Sequence, residues 1–216
     1  MKKIFKHIMY WHFFLQVKLL KLLKRPYVVL VVGVSQKSMI REKLKDEALK
    51  SGIKTRKKYM PYNTWFGVVL DFLDVPSAYS NIKGWIGIYF YSWYKFFKSL
   101  ISFPDVLFLS GGVDEDGEAQ KILRSISPDM IVFTDINTSF ADDYTSMDVI
   151  EKEFGCFIDY LNKKSQKETL QYEYTGLDQI VEIINSDKKY IGVIDKDDER
   201  LVSLGKKLIN RIFIKL

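Results

Sequence analysis

Gly33-Val34-Ser35-Gln36-Lys37-Ser38 is the stretch whose residue types and spacing most directly suggest chemistry. It follows the apolar run Tyr27-Val28-Val29-Leu30-Val31-Val32 and opens a charged, helix-prone segment. Buried strand, tight turn, Lys-Ser and helix is the layout of a phosphate-binding loop. In such a loop, backbone N–H groups at a helix N-terminus meet a phosphate where the helix carries partial positive charge. Gly33, Ser35 and Lys37 would face that phosphate, with Lys37 near its β/γ end. The Ser38 hydroxyl would hold a magnesium ion. The full pattern G-x-x-x-x-G-K-[ST] is not met, because Gln36 stands where a glycine would let the backbone curl. The competing reading is an ordinary strand–helix turn.

Other turns carry acids. Asp197-Asp198 follows an apolar run and suits a helix cap. Asp114, Glu115, Asp116 and Glu118 make an acidic turn that would attract a cation or cap the next helix. Asp142-Asp143 reads as a solvated pair.

The elements that must position these turns follow from periodicity. Residues 1–26 form a basic amphipathic helix ending at Pro26, with Leu15, Leu19, Leu22 and Leu23 at helical spacing and Lys18, Lys21, Lys24 and Arg25 between them. Such a helix suits an anionic membrane surface, or packing on the domain or a partner. Tyr27–Val34, Val106–Leu109, Met130–Thr134 and Tyr190–Ile194 are short apolar runs of the kind buried on both faces. Ser38–Ser51 (stopped by Gly52), Gly117–Ile126, Met147–Leu161 and Gly176–Ser186 are the expected helices. Alternation of strand and helix predicts an α/β fold with a mainly parallel sheet, whose ligands sit at the carboxyl ends of the strands. Two parts are expected, the helix 1–26 and a domain 27–216. The aromatic segment Trp85–Phe103 fits either the core or a lipid surface.

The chain has 216 residues, 47% hydrophobic and 15% aromatic, enough for one sizeable core. Cys156 is alone, which excludes an internal disulfide and suits a reducing compartment. His7 and His12 are the only histidines, which excludes a histidine-based metal site in the main domain. Residues 1–60 hold 16 Lys/Arg against 3 Asp/Glu, while the remainder is net acidic. That basic quarter suits nucleic acid, anionic lipid or a polyanionic substrate such as a nucleotide, and the competing reading is a solvated basic face. Lysines interrupt both long apolar stretches, so neither is a membrane span, and Ile4–Leu23 lacks a signal-peptide cleavage site.

Taken together, the turns resemble the central ATP-binding domain of the Mur ligase family, closest to the branch that adds D-alanyl-D-alanine to the peptidoglycan precursor. The similarity runs from about Tyr27 to Leu201. Gly33–Ser38 with Arg41-Glu42 is similar to Gly-Ser-x-Gly-Lys-Thr-x-x-Lys-Glu. Tyr62-Asn63-Thr64-Trp65-Phe66-Gly67 is similar to Asn-Asn-x-x-Gly, a substrate- and phosphate-side loop. Pro104–Leu109 with Gly112 and Gly117 resembles the strand and Glu-x-Gly turn. Pro128-Asp129 through Thr134-Asp135-Ile136 resembles Pro-Asp…Thr-Asn-Ile, and Ile194–Asp198 the adenine-side Asn-x-Asp-Asp.

The resemblance implies a P-loop-like three-layer sandwich, with Asn63, Asp195 and Asp198 joining Gly33, Ser35, Lys37 and Ser38 around ATP and magnesium. The departures fall on the chemistry. Ser110 stands for a magnesium-binding glutamate, Phe140 for a magnesium-binding histidine and Phe154 for a lysine, and Asp195 replaces an asparagine. Acyl-phosphate formation brings two anions together, so loss of these cationic and metal-binding groups removes what the reaction needs. Only 18 residues follow Asp198, so no C-terminal ligase domain is expected. The expected protein is a catalytically inactive interaction or regulatory module. It would sit in the cytoplasm at the inner membrane face and bind ATP and magnesium weakly or not at all. Its partner would be an intact Mur ligase or another cell-wall protein rather than nucleic acid. The alternative is a working ATP-dependent ligase or ATPase using Asp114, Asp142 or Asp143 as metal ligands.

Overall fold

A computed structural model describes residues 2–33, 37–62, 64–78, 81–112, 115–133, 147–165 and 190–191. The elements are α1 (Lys2–Lys24), β1 (Tyr27–Val32), α2 (Lys37–Lys50), α3 (Trp65–Leu73), α4 (Ile82–Ile101), β2 (Val106–Gly111), α5 (Glu118–Ile126), β3 (Met130–Phe133), α6 (Met147–Ser165) and β4 (Tyr190–Ile191). The fold is mixed α/β with a parallel sheet in the order β2-β1-β3-β4. The strand β1 pairs with β2 on one side and β3 on the other, so the chain reverses direction across the sheet between β2 and β3. Val32 is level with both Gly111 and Phe133. The turns that leave these three strands therefore start at one edge. Every residue of β2 and β3, and all of β1 but Tyr27, is buried, as continuous apolar strands require.

The free edge of β2 is closed by the chain before α3. The carbonyl of Lys54 accepts from the N–H groups of Asp105 and Val106, the Thr55 hydroxyl donates to Val106 O, and the Tyr59 hydroxyl accepts from Phe108 N at 3.0 Å. Open strand edges invite unwanted pairing, and this one is covered.

Three helix ends have clear local causes. Gly52, at φ 80°, ends α2 in the left-handed region that glycine tolerates. Pro26 stops α1 by removing a backbone donor. The Thr64 side chain accepts from Gly67 N and caps α3. The stretch Trp65-Phe66-Gly67, expected as loop, is thus the first turn of a helix. A β-carbon on Gly67 would stand 2.5 Å from Cβ of Tyr62. Tyr62 cannot easily yield, because its hydroxyl holds Ser77 N at 2.6 Å.

The helix α1 lies against α3, α4 and α5 and buries Met9, Phe13, Gln16, Val17 and Leu20. Two of its lysines, Lys18 and Lys21, are turned onto the domain rather than outward. Lys18 Nζ donates to Ser127 Oγ at 3.1 Å, and Lys21 Nζ donates to the carbonyls of Ile126 and Ser127 and stands 3.7 Å from Asp129. Both sit at the carbonyl end of α5, where the helix dipole favours cations. Burial lowers the Lys18 pKa from its usual value. The outward side of α1 instead carries Ile8, Trp11, Leu15 and Leu22. The segment Trp85–Phe103 belongs mostly to α4, which buries Ile88, Ser92 and Phe96 and turns other aromatics outward.

Gly67→Ala should destabilise the protein by about 1–3 kcal/mol through overpacking against Tyr62. Urea unfolding of the variant beside the parent measures it, and an unchanged midpoint would contradict the close approach.

Candidate functional site

The carboxyl edge of the sheet is built from the turn after β1 and the end of β2. Gly33 is buried at the first of these, and its carbonyl accepts from Lys37 Nζ at 2.6 Å. Lys37 opens α2 and is buried, so its ammonium folds back onto the strand it follows. One turn on, Arg41 is 3% exposed. Its Nη1 donates to Ser110 Oγ at 3.0 Å and to Met60 O at 3.2 Å, and lies 3.6 Å from Asp71 Oδ2. Its Nη2 donates to Glu42 Oε1 at 3.0 Å. A further turn on, Lys45 is held by Glu42, Asp46 and Lys57 O. These carboxylates raise the Lys45 pKa against the opposing effect of burial.

Lys37, Arg41 and Lys45 thus form a buried cationic stripe beside the apolar stripe Ile40, Leu44 and Ala48. Spacing of i, i+4, i+8 places such residues on one face. The signal lay in the sequence, but lysine and arginine at helical spacing ordinarily mark a solvated face.

Asp71, on α3, is 2% exposed. Its Oδ1 accepts from Met60 N at 2.9 Å. Burial pushes its pKa up from 3.8 to about 6, against the lowering effects of the Met60 hydrogen bond, Arg56 and Arg41. Arg56 donates to the carbonyls of Asp71 and Phe72 at the end of α3, and its guanidinium and that of Arg41 both lie over the Tyr59 ring. The cluster contains permanent cations, one perturbed carboxylate and a serine that accepts from arginine. It holds no histidine or thiol to activate a nucleophile. No group of three His, Cys, Asp or Glu suited to a metal ion exists among the described residues.

Two neighbouring helix N-termini are filled from within the protein. Glu153 on α6 is fully buried, and its two oxygens accept from Gly117 N at 2.7 Å and Ala119 N at 2.6 Å at the start of α5. Glu118 is buried and accepts from Trp65 N at 3.2 Å at the start of α3. Internal carboxylates thereby take positions that would otherwise suit a bound anion.

Of the residues singled out by sequence, Gly33 and Lys37 come together, and Ser110 lies on the same edge. Ser38 is exposed on α2. Phe154 is buried in the core, 5.5 Å from the Phe133 ring. In the acidic turn, Glu115 is exposed, Asp116 pairs with Lys152 at 2.7 Å and Glu118 serves α3. Ser35, Gln36, Asn63, Asp114, Phe140, Asp142, Asp143, Asp195, Asp197 and Asp198 lie outside the described residues. Sequence reasoning missed Arg41 as a buried group, Asp71, and Glu153 as a cap. Comparison with protein-family models, with curated proteins and with solved structures gives no match.

Folding raises the Asp71 pKa, so the native state holds this proton more tightly than the unfolded chain does. The associated stability is fully present below about pH 4 and is lost as pH rises through about 6, by about 3 kcal/mol for a two-unit shift. Urea unfolding across pH 4 to 7 should show this loss, and Asp71→Asn, which stays neutral, should remove that component of the slope. A variant with the parent's slope would refute the assignment. Glu153→Ala, which strands the buried Ala119 N–H and the half-buried Gly117 N–H, should cost about 3 kcal/mol in the same assay. A cost near zero would show that α5 does not depend on this cap.

Proposed function

We propose that the chain is a catalytically inactive relative of the Mur ligase central domain. In this reading it keeps a P-loop-like three-layer sandwich but has lost metal-assisted transfer, and it works as an interaction or regulatory module. The observation that carries this reading is the buried Arg41 guanidinium bonded to Ser110 Oγ. The resemblance puts a magnesium-binding glutamate at Ser110. A divalent cation needs oxygen ligands of matching charge. Here the strand end offers an uncharged hydroxyl that already accepts from a fixed positive charge. Two like charges at such a distance repel strongly when shielded from water.

Two further facts support the reading. Lys37 is engaged with Gly33 O, and Phe154 packs in the core where the resemblance expects a lysine. Without a counter-ion, the negative charge built up in acyl-phosphate formation has nothing to offset it. The partner in this reading is an intact Mur ligase or another protein of peptidoglycan precursor synthesis, on the cytoplasmic side of the membrane.

Calorimetric titration with millimolar ATP, with and without magnesium, tests the proposal. The expected outcome is no magnesium-dependent binding and no change on Lys37→Ala. Tight magnesium-dependent binding abolished by Lys37→Ala would overturn it in favour of a working ligase that draws its metal ligands from Asp114, Asp142 or Asp143.

A further inference from the structure

The helices α1 and α4 lie side by side, joined along a seam of His12, Gln16, Tyr89, Ser92 and Trp93. The His12 ring is 4.2 Å from Tyr89 and 5.4 Å from Trp93, and its Nε2 is 3.0 Å from Ser92 Oγ. Gln16 also donates to Ser92 Oγ, at 3.2 Å. On α1 the exposed apolar residues Ile8, Trp11, Leu15 and Leu22 recur at steps of three, four and seven, which keeps them on one side of the helix. On α4, Ile86, Phe90, Tyr94, Phe97 and Ile101 recur at steps of four, four, three and four. Phe90 is 67% exposed and Ile101 87%.

The two stripes share one outer surface. Going around α1 from its buried face, one meets the seam at Gln16 and His12 and then the exposed stripe. Going around α4 from its buried face, one meets the seam at Ser92, Tyr89 and Trp93 and then the exposed stripe. Each stripe therefore flanks the seam on the solvent side. Contiguous apolar surface of this extent marks an interaction site on a folded protein.

Charge identifies what covers it. Neither helix contains a single Asp or Glu, and together they carry nine lysines. The whole chain is only +6, so the rest of it is net acidic. Lys83 and Lys98 are exposed on α4, and Lys24 and Arg25 are exposed at the end of α1. A second copy of the chain docked by the same face would set lysines against lysines with no carboxylate on either helix to separate them. An anionic surface meets the requirement, with a greasy layer for the aromatic and aliphatic stripes and negative groups at the rim. Trp and Tyr among the exposed residues suit the boundary between the two. No described helix is long and apolar enough to cross a membrane.

We infer that the paired outer faces of α1 and α4 are a docking surface for an anionic lipid bilayer, with both helices lying in the plane of the interface. This surface differs from the one expected of residues 1–26 alone. The stripe of Lys18 and Lys21 is spent on α5, and the apolar sides of two helices make the contact. The inference does not depend on the nucleotide-site reading.

Co-sedimentation of the full chain with vesicles of phosphatidylcholine alone, or mixed with phosphatidylglycerol, tests it. Binding should require the anionic lipid, weaken with added salt and fall by about tenfold or more in Phe90→Glu/Phe97→Glu. Lys83→Glu/Lys98→Glu should cause a comparable fall. Trp11 emission should shift to shorter wavelength on the vesicles, and Trp11→Phe should reduce that shift. All substituted side chains are exposed, and circular dichroism checks that each variant folds. The charge-reversal pair carries the test if the phenylalanine pair does not fold. Three results would each overturn the inference. One is wild-type protein left in the supernatant, which assigns the face to a protein partner. Another is equal binding to neutral vesicles. The last is a lipid-free dimer in light scattering that Phe90→Glu/Phe97→Glu dissociates.

Discussion

A guanidinium withdrawn from water sets the terms for the carboxyl edge of this sheet. Arg41 cannot shed its charge in a protein, and removing an ion from solvent is costly unless partners replace its hydration. Those partners come from four places: Ser110 at the end of β2, the Met60 carbonyl in the connection before α3, Asp71 on α3 itself and Glu42 on α2. One side chain thus ties the strand end, the second helix and the third helix into one polar knot. Asp71 shows the tension in that knot, because burial resists its ionisation while Arg41 and Arg56 favour it. Substituting either partner weakens the compensation of the other, leaving Arg41 with Ser110, Met60 and Glu42, and Asp71 with Met60 and Arg56.

The same economy appears at the helix ends. Glu153 and Glu118 satisfy the amino termini of α5 and α3, Lys21 bonds the carbonyls at the carboxyl terminus of α5, and Lys18 bonds the Ser127 hydroxyl beside them. Helix termini are where a fold of this class can meet anionic ligands. Here side chains from distant parts of the sequence meet them instead. The helix α1 therefore belongs to the electrostatic structure of the domain as well as to its core, through Phe13, Val17 and Leu20 on one side and two lysines on another.

Much of the scaffold was legible from residue pattern. Tyr27–Val32, Val106–Leu109 and Met130–Phe133 are unbroken apolar runs, short and flanked by Pro or Gly, as strands buried on both faces read. Gly52 and Pro26 marked helix ends correctly because each acts through its own backbone. The start of α3 was obscured because Trp65-Phe66-Gly67 carries a turn-like glycine. That glycine is required by the approach of Tyr62, a contact invisible in one dimension. The helix α4 lacks the usual alternation of apolar and charged faces, since it is apolar on both its inner and outer sides, so periodicity gave no orientation. At the carboxyl edge the pattern pointed to Gly33 and Lys37, though not to the bond between them. Arg41, Asp71 and Glu153 owe their roles to neighbours 11 to 69 positions away, and their types alone suggested solvent.

The closed flank of β2 carries one more consequence. With Val106 and Phe108 already engaged by Lys54 and Tyr59, that side of the sheet offers little for a foreign strand to hydrogen-bond. Recruitment of a peptide by sheet extension is thereby blocked on this flank. Whatever approaches the molecule from there must recognise side chains rather than main chain. The same seal also discourages the open-ended stacking that leads to fibrils.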